Sequence, residues 1–325
     1  MTIAQNPIPV NLADIKQAHQ NIASYAHRTP VLTCETLNEM CGHSLFFKCE
    51  NFQKTGAFKF RGAINAISNL SEEQRQLGVV THSSGNHAQA LAHAAALFGI
   101  PSYIVMPTNA PRVKKEAVIC YGGKVTECEP TLEDRLKVSA EVQKETGANM
   151  VPPFDHVDIV AGQGTTALEF LEQVPNLEFL VTPVGGGGLL SGVSIAAKAI
   201  SKRLVVIGAE PVGADDVFQS FEAQKLIPQT NPQTIADGLR TSMSRLTWRI
   251  IRRNVQRIIR VEEQEIVASM KLFLERTKVL VEPSAAVAIA AAMGKNMLPP
   301  QPPRNIGIIL TGGNVDLDKL PWSGS

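Results

Sequence analysis

The 325 residues predict an α/β protein built on mostly parallel sheet, and three observations carry that reading. Short β-branched runs bounded by turn residues alternate with longer segments of helical period. The chain is long enough for a substantial core divided into two lobes. The paired prolines of VPPFDH (151–156) then interrupt the alternation near its middle, where regular structure must stop.

In chain order, the first strand candidate is SLFFKCE (44–50), and GVVTHS (78–83) is the next. The alanine-rich NHAQALAHAAALFG (86–99) has helical period, SYIVMP (102–107) and KVTEC (124–128) read as strands, and LEDRLKVSAEVQKETG (132–147) reads as an amphipathic helix. This first run of βα units covers roughly residues 79–150. Beyond the break lie strands EFLVTPVG (178–185) and LVVIGAEP (204–211), a helix EEQEIVASMKLFLERT (262–277), and a last strand IGIILTGG (306–313). The Pro-rich LPPQPPR (298–304) reads as a rigid surface connector, and no repeat of solenoid length occurs.

Charge and cysteine usage narrow the function classes. Lysine and arginine number 31 against 30 aspartates and glutamates, so neither nucleic acid nor an anionic membrane is an expected partner, and small molecules are. The five cysteines, Cys34, Cys41, Cys49, Cys120 and Cys128, form no C-x-x-C pair, which disfavours a disulfide framework or a zinc site and fits a reducing cytoplasm. MTIAQNPIPVNLADIKQAHQ lacks the basic and apolar regions of a secretory signal. Apolar runs such as SAAVAIAAAM (284–293) fall well short of the ~20 residues of a spanning helix.

Open parallel sheets bind ligands beyond the carboxyl ends of their strands, so strand-to-helix turns are the places to look for chemistry. In NFQKTGAFKFRGA (51–63), Lys59 lies between Phe58 and Phe60. It is either a solvated cation on a helix end or a partly desolvated amine able to form a Schiff base with an aldehyde cofactor. In TPVGGGGLLSGV (182–193), a strand runs into Gly185, Gly186, Gly187 and Gly188 and then into a helical pattern. Several N–H groups and a helix N-terminus can converge there on a phosphate. Neither the dinucleotide fingerprint nor the nucleotide P-loop fits this stretch, because Leu190 and Ser191 replace the required glycine and Val193 follows Gly192.

THSSGNHAQALAHAA (81–95) makes a second such turn, with Ser83, Ser84, Gly85 and Asn86 at the junction. It suits either a carboxylate ligand or ordinary helix capping. His82, His87 and His93 have no acidic or thiol partner at helical spacing and read as packing residues. In LTGGNVDL (310–317), Thr311 ends the last strand ahead of Gly312 and Gly313.

Together these four ordered motifs resemble the fold-type II family of pyridoxal phosphate (PLP) enzymes, and more narrowly its serine racemase and serine/threonine dehydratase group, nearly end to end. The resemblance implies a tryptophan synthase β-like fold of two open, twisted, mostly parallel sheets flanked by helices. It implies a large PLP-binding domain, residues 1–78 and 151–325, and a small mobile substrate domain, residues 79–150. It assigns Lys59 the Schiff base and the Cα proton, Phe58 a place beside the ring, Gly185 to Gly188 the phosphate, Asn86 the phenolic oxygen and Thr311 the pyridine nitrogen. Ser is usual in the family at the Thr311 position, and the hydroxyl is retained here. Ser84 matches the second acid/base residue, while Ser83, Ser84, Asn86 and His87 match the loop that holds the substrate carboxylate.

Glu210, the carbonyl of Ala214, and Asp216 in GAEPVGADDVF (208–218) match a site for Mg²⁺ or Ca²⁺, with Mn²⁺ also suited to such oxygen ligands. That site and VEPSAAV (281–287) lean toward the serine racemase and 3-hydroxyaspartate dehydratase branch, in which Arg135 matches an arginine able to meet a second carboxylate. The implied activity is racemisation of serine, α,β-elimination to a 2-oxo acid and ammonia, or both. The alternative is a threonine or 3-hydroxyaspartate dehydratase without useful racemase activity. A cysteine-synthase-like reading is disfavoured because SSGNHA replaces the Thr-Ser-Gly-Asn-Thr loop of that group. The resemblance also implies a cytoplasmic homodimer, and with Ser325 following soon after the last motif it implies no C-terminal regulatory domain.

Overall fold

The computed structural model describes residues 8–110, 112–294, 297 and 302–322. Ten strands form among them: β1 (Val31–Leu32), β2 (Ser44–Cys49), β3 (Val79–His82), β4 (Ser102–Pro107), β5 (Lys124–Cys128), β6 (Asn149–Met150), β7 (Phe179–Pro183), β8 (Val205–Pro211), β9 (Arg257–Val261) and β10 (Asn305–Leu310). They make a six-stranded sheet in the order β1-β2-β10-β7-β8-β9 and a four-stranded sheet in the order β5-β4-β3-β6. Every pairing is parallel except β1 on β2.

All seven expected strands form with ends within three residues of the expected ones; β10 begins one residue early, at Asn305, and stops three residues short, ahead of Thr311 and its pair of glycines. β7, β8 and β10 are buried along nearly their whole length, as interior parallel strands covered on both faces must be. The strands not foreseen are β1, β6 and β9. Two of them are only two residues long, too short for any periodicity to show. β9 lies at a sheet edge with Arg257 and Arg260 exposed, so its polar positions break the apolar run that would have marked it. The expected helices form at Asn86–Leu97, Leu132–Thr146 and Glu263–Thr277. SAAVAIAAAM belongs to helix Pro283–Met293, buried from Ser284 to Ala292, which explains its lack of a polar face. Residues 298–301 of the Pro-rich stretch and residues 1–7 lie outside the described residues.

Three helices meet behind the larger sheet with their backbones in near contact. A Cβ on Gly162, in helix Val157–Gln173, would lie 2.6 Å from Gly62 Cα in helix Lys59–Ser68. A Cβ on Gly192, in helix Gly188–Ile200, would lie 2.2 Å from the Val160 carbonyl oxygen. No side chain larger than hydrogen fits at either crossing.

A buried charge network ties two of these helices to the sheet. Arg61 donates from Nε and Nη2 to the Glu50 carboxylate at 2.7 and 2.8 Å, and from Nη1 and Nη2 to Glu169 at 2.7 and 2.8 Å. Lys48 Nζ donates to Glu169 at 2.9 Å, to Gln173 Oε1 at 2.9 Å and to the Thr29 carbonyl at 2.8 Å. Burial lowers the pKa of Lys48 despite the carboxylates facing it, whereas for Glu169 burial pushes the carboxyl up and the bonds and charges of Arg61 and Lys48 together hold it low. Removing one member of such a network strands the rest without compensation. Arg61→Met therefore leaves Glu50 in the interior with no cation against it and Glu169 with Lys48 alone, and is expected to cost about 3–5 kcal/mol, read as a lower urea midpoint.

Candidate active site

The first and last motifs are zipped together. Ala57 pairs antiparallel with Gly312, Phe58 N–H donates to the Thr311 carbonyl at 3.1 Å, and Gly313 N–H donates to the Gly56 carbonyl at 3.0 Å. The turn leading into Lys59 is thereby fixed against the carboxyl end of β10. Gly56, at φ +72°, carries the backbone through a conformation that residues with side chains resist.

Lys59 begins its helix half-buried, with Nζ 5.2 Å from the Phe58 ring centre. It donates to the Pro153 carbonyl at 2.7 Å. Burial lowers its pKa to about 8, against the pull of the Glu282 charge, so the amine is neutral in an appreciable fraction of molecules near neutral pH. Of the two sequence readings, this environment fits the desolvated amine.

The residue after Pro153 reaches the glycine loop. A Cβ on Gly186 would sit 2.4 Å from Phe154 Cδ1, and one on Gly188 would sit 2.9 Å from Phe154 Cβ. Gly187 has φ +84° and is the N-cap of helix Gly188–Ile200, while a Cβ on Gly185 would lie 2.9 Å from Leu239 Cα. Among the described residues no protein acceptor meets the N–H groups of Gly185, Gly186 and Gly187, and Gly188 opens the helix with its N–H free of any intrahelical bond. Such a row of N–H groups fits a phosphate. Thr311 Oγ1 is buried without a partner among the described residues, a neutral hydroxyl available to a ligand. Lysine, glycine loop and orphaned hydroxyl together fit PLP.

The turn after β3 supplies the substrate-loop candidates. Ser83 and Ser84 are half-buried, and Ser83 Oγ accepts from Gly85 N–H at 3.4 Å. Asn86 starts helix Asn86–Leu97 and donates through Nδ2 to both Glu282 oxygens, at 2.9 and 3.0 Å. Its Oδ1 accepts from Asn314 Nδ2 at 2.9 Å. His87 is buried with Nε2 2.9 Å from the Val151 carbonyl, so that nitrogen carries the proton. Burial first, then the nearby Lys59, pushes the His87 pKa down to about 3, and the ring is neutral. Arg135 is half-buried with Nε unpartnered among the described residues, and its charge, after burial, lowers the pKa of His82.

Away from this cluster, Glu210 and Asp216 are buried at the carboxyl end of β8, beside the buried Ala214. Glu210 accepts from Val217 N–H at 3.1 Å and Phe218 N–H at 2.9 Å, while Asp216 Oδ2 accepts from Met243 N–H at 3.2 Å and Oδ1 has no partner among the described residues. Burial raises both acids, Asp216 to about 6 and Glu210 well above the carboxylate range, where the Asp216 charge adds to the effect. Two buried acids with one orphaned oxygen fit a hard divalent cation. No group of three histidine, cysteine or acidic residues suited to a metal occurs among the described residues, so a cation here would lean on the carbonyl and water.

Sequence reasoning missed Pro153, Phe154, Asn314 and the place of Glu282. Glu282 had a visible signal in VEPSAAV, but an acid before proline reads as a helix start, and only the fold brings it to Asn86.

The family model described as "Pyridoxal-phosphate dependent enzyme" matches residues 22–312. A serine racemase of Arabidopsis thaliana is 50% identical to this chain, over 95% of each protein. A beta-hydroxyaspartate dehydratase of Paracoccus denitrificans is 46% identical, over 95% of this chain and 98% of that protein. Among solved structures, maize serine racemase superposes with a TM-score of 0.93 at 48% identity, covering 96% of this chain and 95% of that one.

Gly186→Ala would drive a methyl group into the Phe154 ring and displace the loop. PLP affinity, measured by equilibrium dialysis, is expected to fall about tenfold or more, the worth of one or two charge-assisted hydrogen bonds.

Proposed function

The chain belongs to the pyridoxal-phosphate dependent enzymes, and on that premise we propose that it acts on serine-like β-hydroxy amino acids. It inverts their Cα, or eliminates the β-hydroxyl to leave a 2-oxo acid and ammonia. The observation that carries this reading is Lys59, a half-buried amine with pKa about 8 beside a row of unpartnered glycine N–H groups. Support for the substrate class comes from relatives at 46–50% identity that are named serine racemase and beta-hydroxyaspartate dehydratase.

When bound, PLP supplies an aldehyde for the substrate amine and a ring that draws electrons from Cα. Gly185 to Gly188 hold its phosphate, Phe58 flanks it, Asn86 meets its phenolic oxygen and Thr311 meets its ring nitrogen. Thr311 would offer that nitrogen a neutral hydroxyl in place of a carboxylate, which suits elimination better than chemistry needing a stronger electron sink. Lys59, with a pKa close to neutrality, removes the Cα proton as general base. Ser84 is the second acid/base group, and a proton it delivers from the side away from Lys59 inverts the centre. Ser83, Asn86 and the Asn86 helix N-terminus hold the substrate carboxylate, and His87 contributes as a neutral ring.

Glu210, Asp216 and the Ala214 carbonyl hold Mg²⁺ or a similar cation. Residues 1–78 with 151–325 act as the PLP-binding domain and 79–150 as a mobile substrate domain. A cytoplasmic homodimer completes the reading, and no helix among the described residues is long and apolar enough to cross a membrane.

A second reading, dehydration of 3-hydroxyaspartate without racemisation, is favoured by Arg135, whose unpartnered Nε could meet a side-chain carboxylate. One assay separates the two. PLP-loaded enzyme with Mg²⁺ is given L-serine, L-threonine or threo-3-hydroxyaspartate, and 2-oxo acid and amino-acid chirality are followed together. D-Serine that disappears in Ser84→Ala while elimination persists is the expected result; oxo acid with no D-enantiomer means a dehydratase, named by its fastest substrate. Lys59→Ala should abolish both turnover and the borohydride-trapped cofactor adduct. Chelation with EDTA should lower the thermal midpoint, and Mg²⁺ or Ca²⁺ should restore it.

A further inference from the structure

Glu282 is a buried carboxylate to which the reaction assigns nothing. It lies against Gly312, the residue after Thr311, since a Cβ there would come within 2.7 Å of Glu282 Oε1. Its backbone N–H donates to the Gly312 carbonyl at 2.9 Å, which ties it to the end of β10. Its two oxygens receive the Asn86 amide nitrogen, from the helix that follows β3 of the other sheet. Asn314 fixes the opposite end of that amide, donating to Asn86 Oδ1 while also holding the Thr55 carbonyl at 2.7 Å. The Asn86 side chain is therefore held at both ends by residues of the segments around the larger sheet.

We propose that Glu282 is a positioning residue, whose carboxylate orients the Asn86 amide toward the PLP phenolic oxygen and thereby latches the substrate loop onto the cofactor site. The inference rests on the reading of Asn86 as a cofactor contact. An amide nitrogen has two hydrogens. A carboxylate accepts one of them with both oxygens and fixes the amide plane, and the other hydrogen is left to a ligand. With Asn314 on Oδ1, a flipped amide would set its oxygen against the carboxylate and its nitrogen against another donor, so only one orientation satisfies every group.

The latch requires the ionised acid. Burial first, then Asp237, raises the Glu282 pKa to about 7, opposed by Asn86, Lys114 and the Asn314 backbone. Lys59 also faces it, and Lys114 is ion-paired to Asp237. Protonation replaces an acceptor by a donor aimed at the Asn86 nitrogen, so PLP binding should weaken as the pH falls through about 7.

The test is a double-mutant cycle on Glu282→Gln and Asn86→Ala, with PLP affinity by equilibrium dialysis and the absorbance of the lysine-bound cofactor as readouts. Borohydride trapping of PLP on wild-type Lys59 comes first, because its failure would remove the cofactor reading itself. Each single variant is expected to weaken PLP about tenfold, the worth of a charge-assisted hydrogen bond, and the double variant no more than either alone. Glu282→Gln should lose the part of the pH dependence near 7 that Glu282 adds and keep only the fall set by the Lys59 amine, whose pKa is about 8. Additive losses, or a Glu282→Gln protein with wild-type affinity and pH profile, would overturn the proposal, since a merely structural role gives one of these. Should Glu282→Gln not fold, Asn314→Ala probes the same amide from its other end, and additivity with Asn86→Ala would count equally against it.

Discussion

The near contact of three helix backbones at Gly62, Gly162 and Gly192 is the constraint on which the rest of the molecule depends. Helix Val157–Gln173 stands between the helix that begins at Lys59 and the helix that begins at Gly188, and side chains at the crossings would push both away. Lys59 and the four-glycine loop are thus set relative to one another by a spacer of fixed thickness. Backbone packed on backbone has no rotamers to adjust, which suits a site whose parts must hold their places through a reaction.

Charge completes what the glycines begin. Arg61, two residues beyond Lys59, is held bidentately by Glu50 and again by Glu169 of the central helix, with Lys48 on the far side of Glu169. The network is hydrogen-bonded in the interior, where an unpaired member is costly and correct geometry is therefore strongly selected. Lys59 differs from its buried neighbours in that no carboxylate among the described residues bonds to it. Its nearest partner is the Pro153 carbonyl, so burial can lower its pKa to about 8, whereas Arg61, ringed by acids, has its pKa raised despite burial.

The loop after β3 obeys a similar rule. Asn86 reaches across to Glu282 and Asn314, while the half-buried serines beside it, Ser83 and Ser84, have no such anchors. A residue in that loop can move toward a ligand only if those polar contacts are kept or exchanged. Asn314 follows Thr311 by three residues and the Glu282 N–H bonds to the Gly312 carbonyl, which gives the loop and Thr311 a common support.

The sequence by itself determined the architecture and the motifs. Apolar, β-branched runs such as those of β7, β8 and β10 have to be interior strands, and four consecutive glycines after a strand have few uses besides a backbone anion site. The resemblance also singled out Lys59 among the lysines. Edge strand β9 escaped because its arginines face solvent, and β1 and β6 because two residues carry no period. Only the tertiary structure decided that Ala57 pairs with Gly312, that Phe154 fills the space above Gly186, and that Glu282 takes the Asn86 amide. Hydrophobic patterning is local and can be read along the chain, but these contacts join segments up to about 255 residues apart in sequence, and their desolvation exists only once the helices have closed on the sheets.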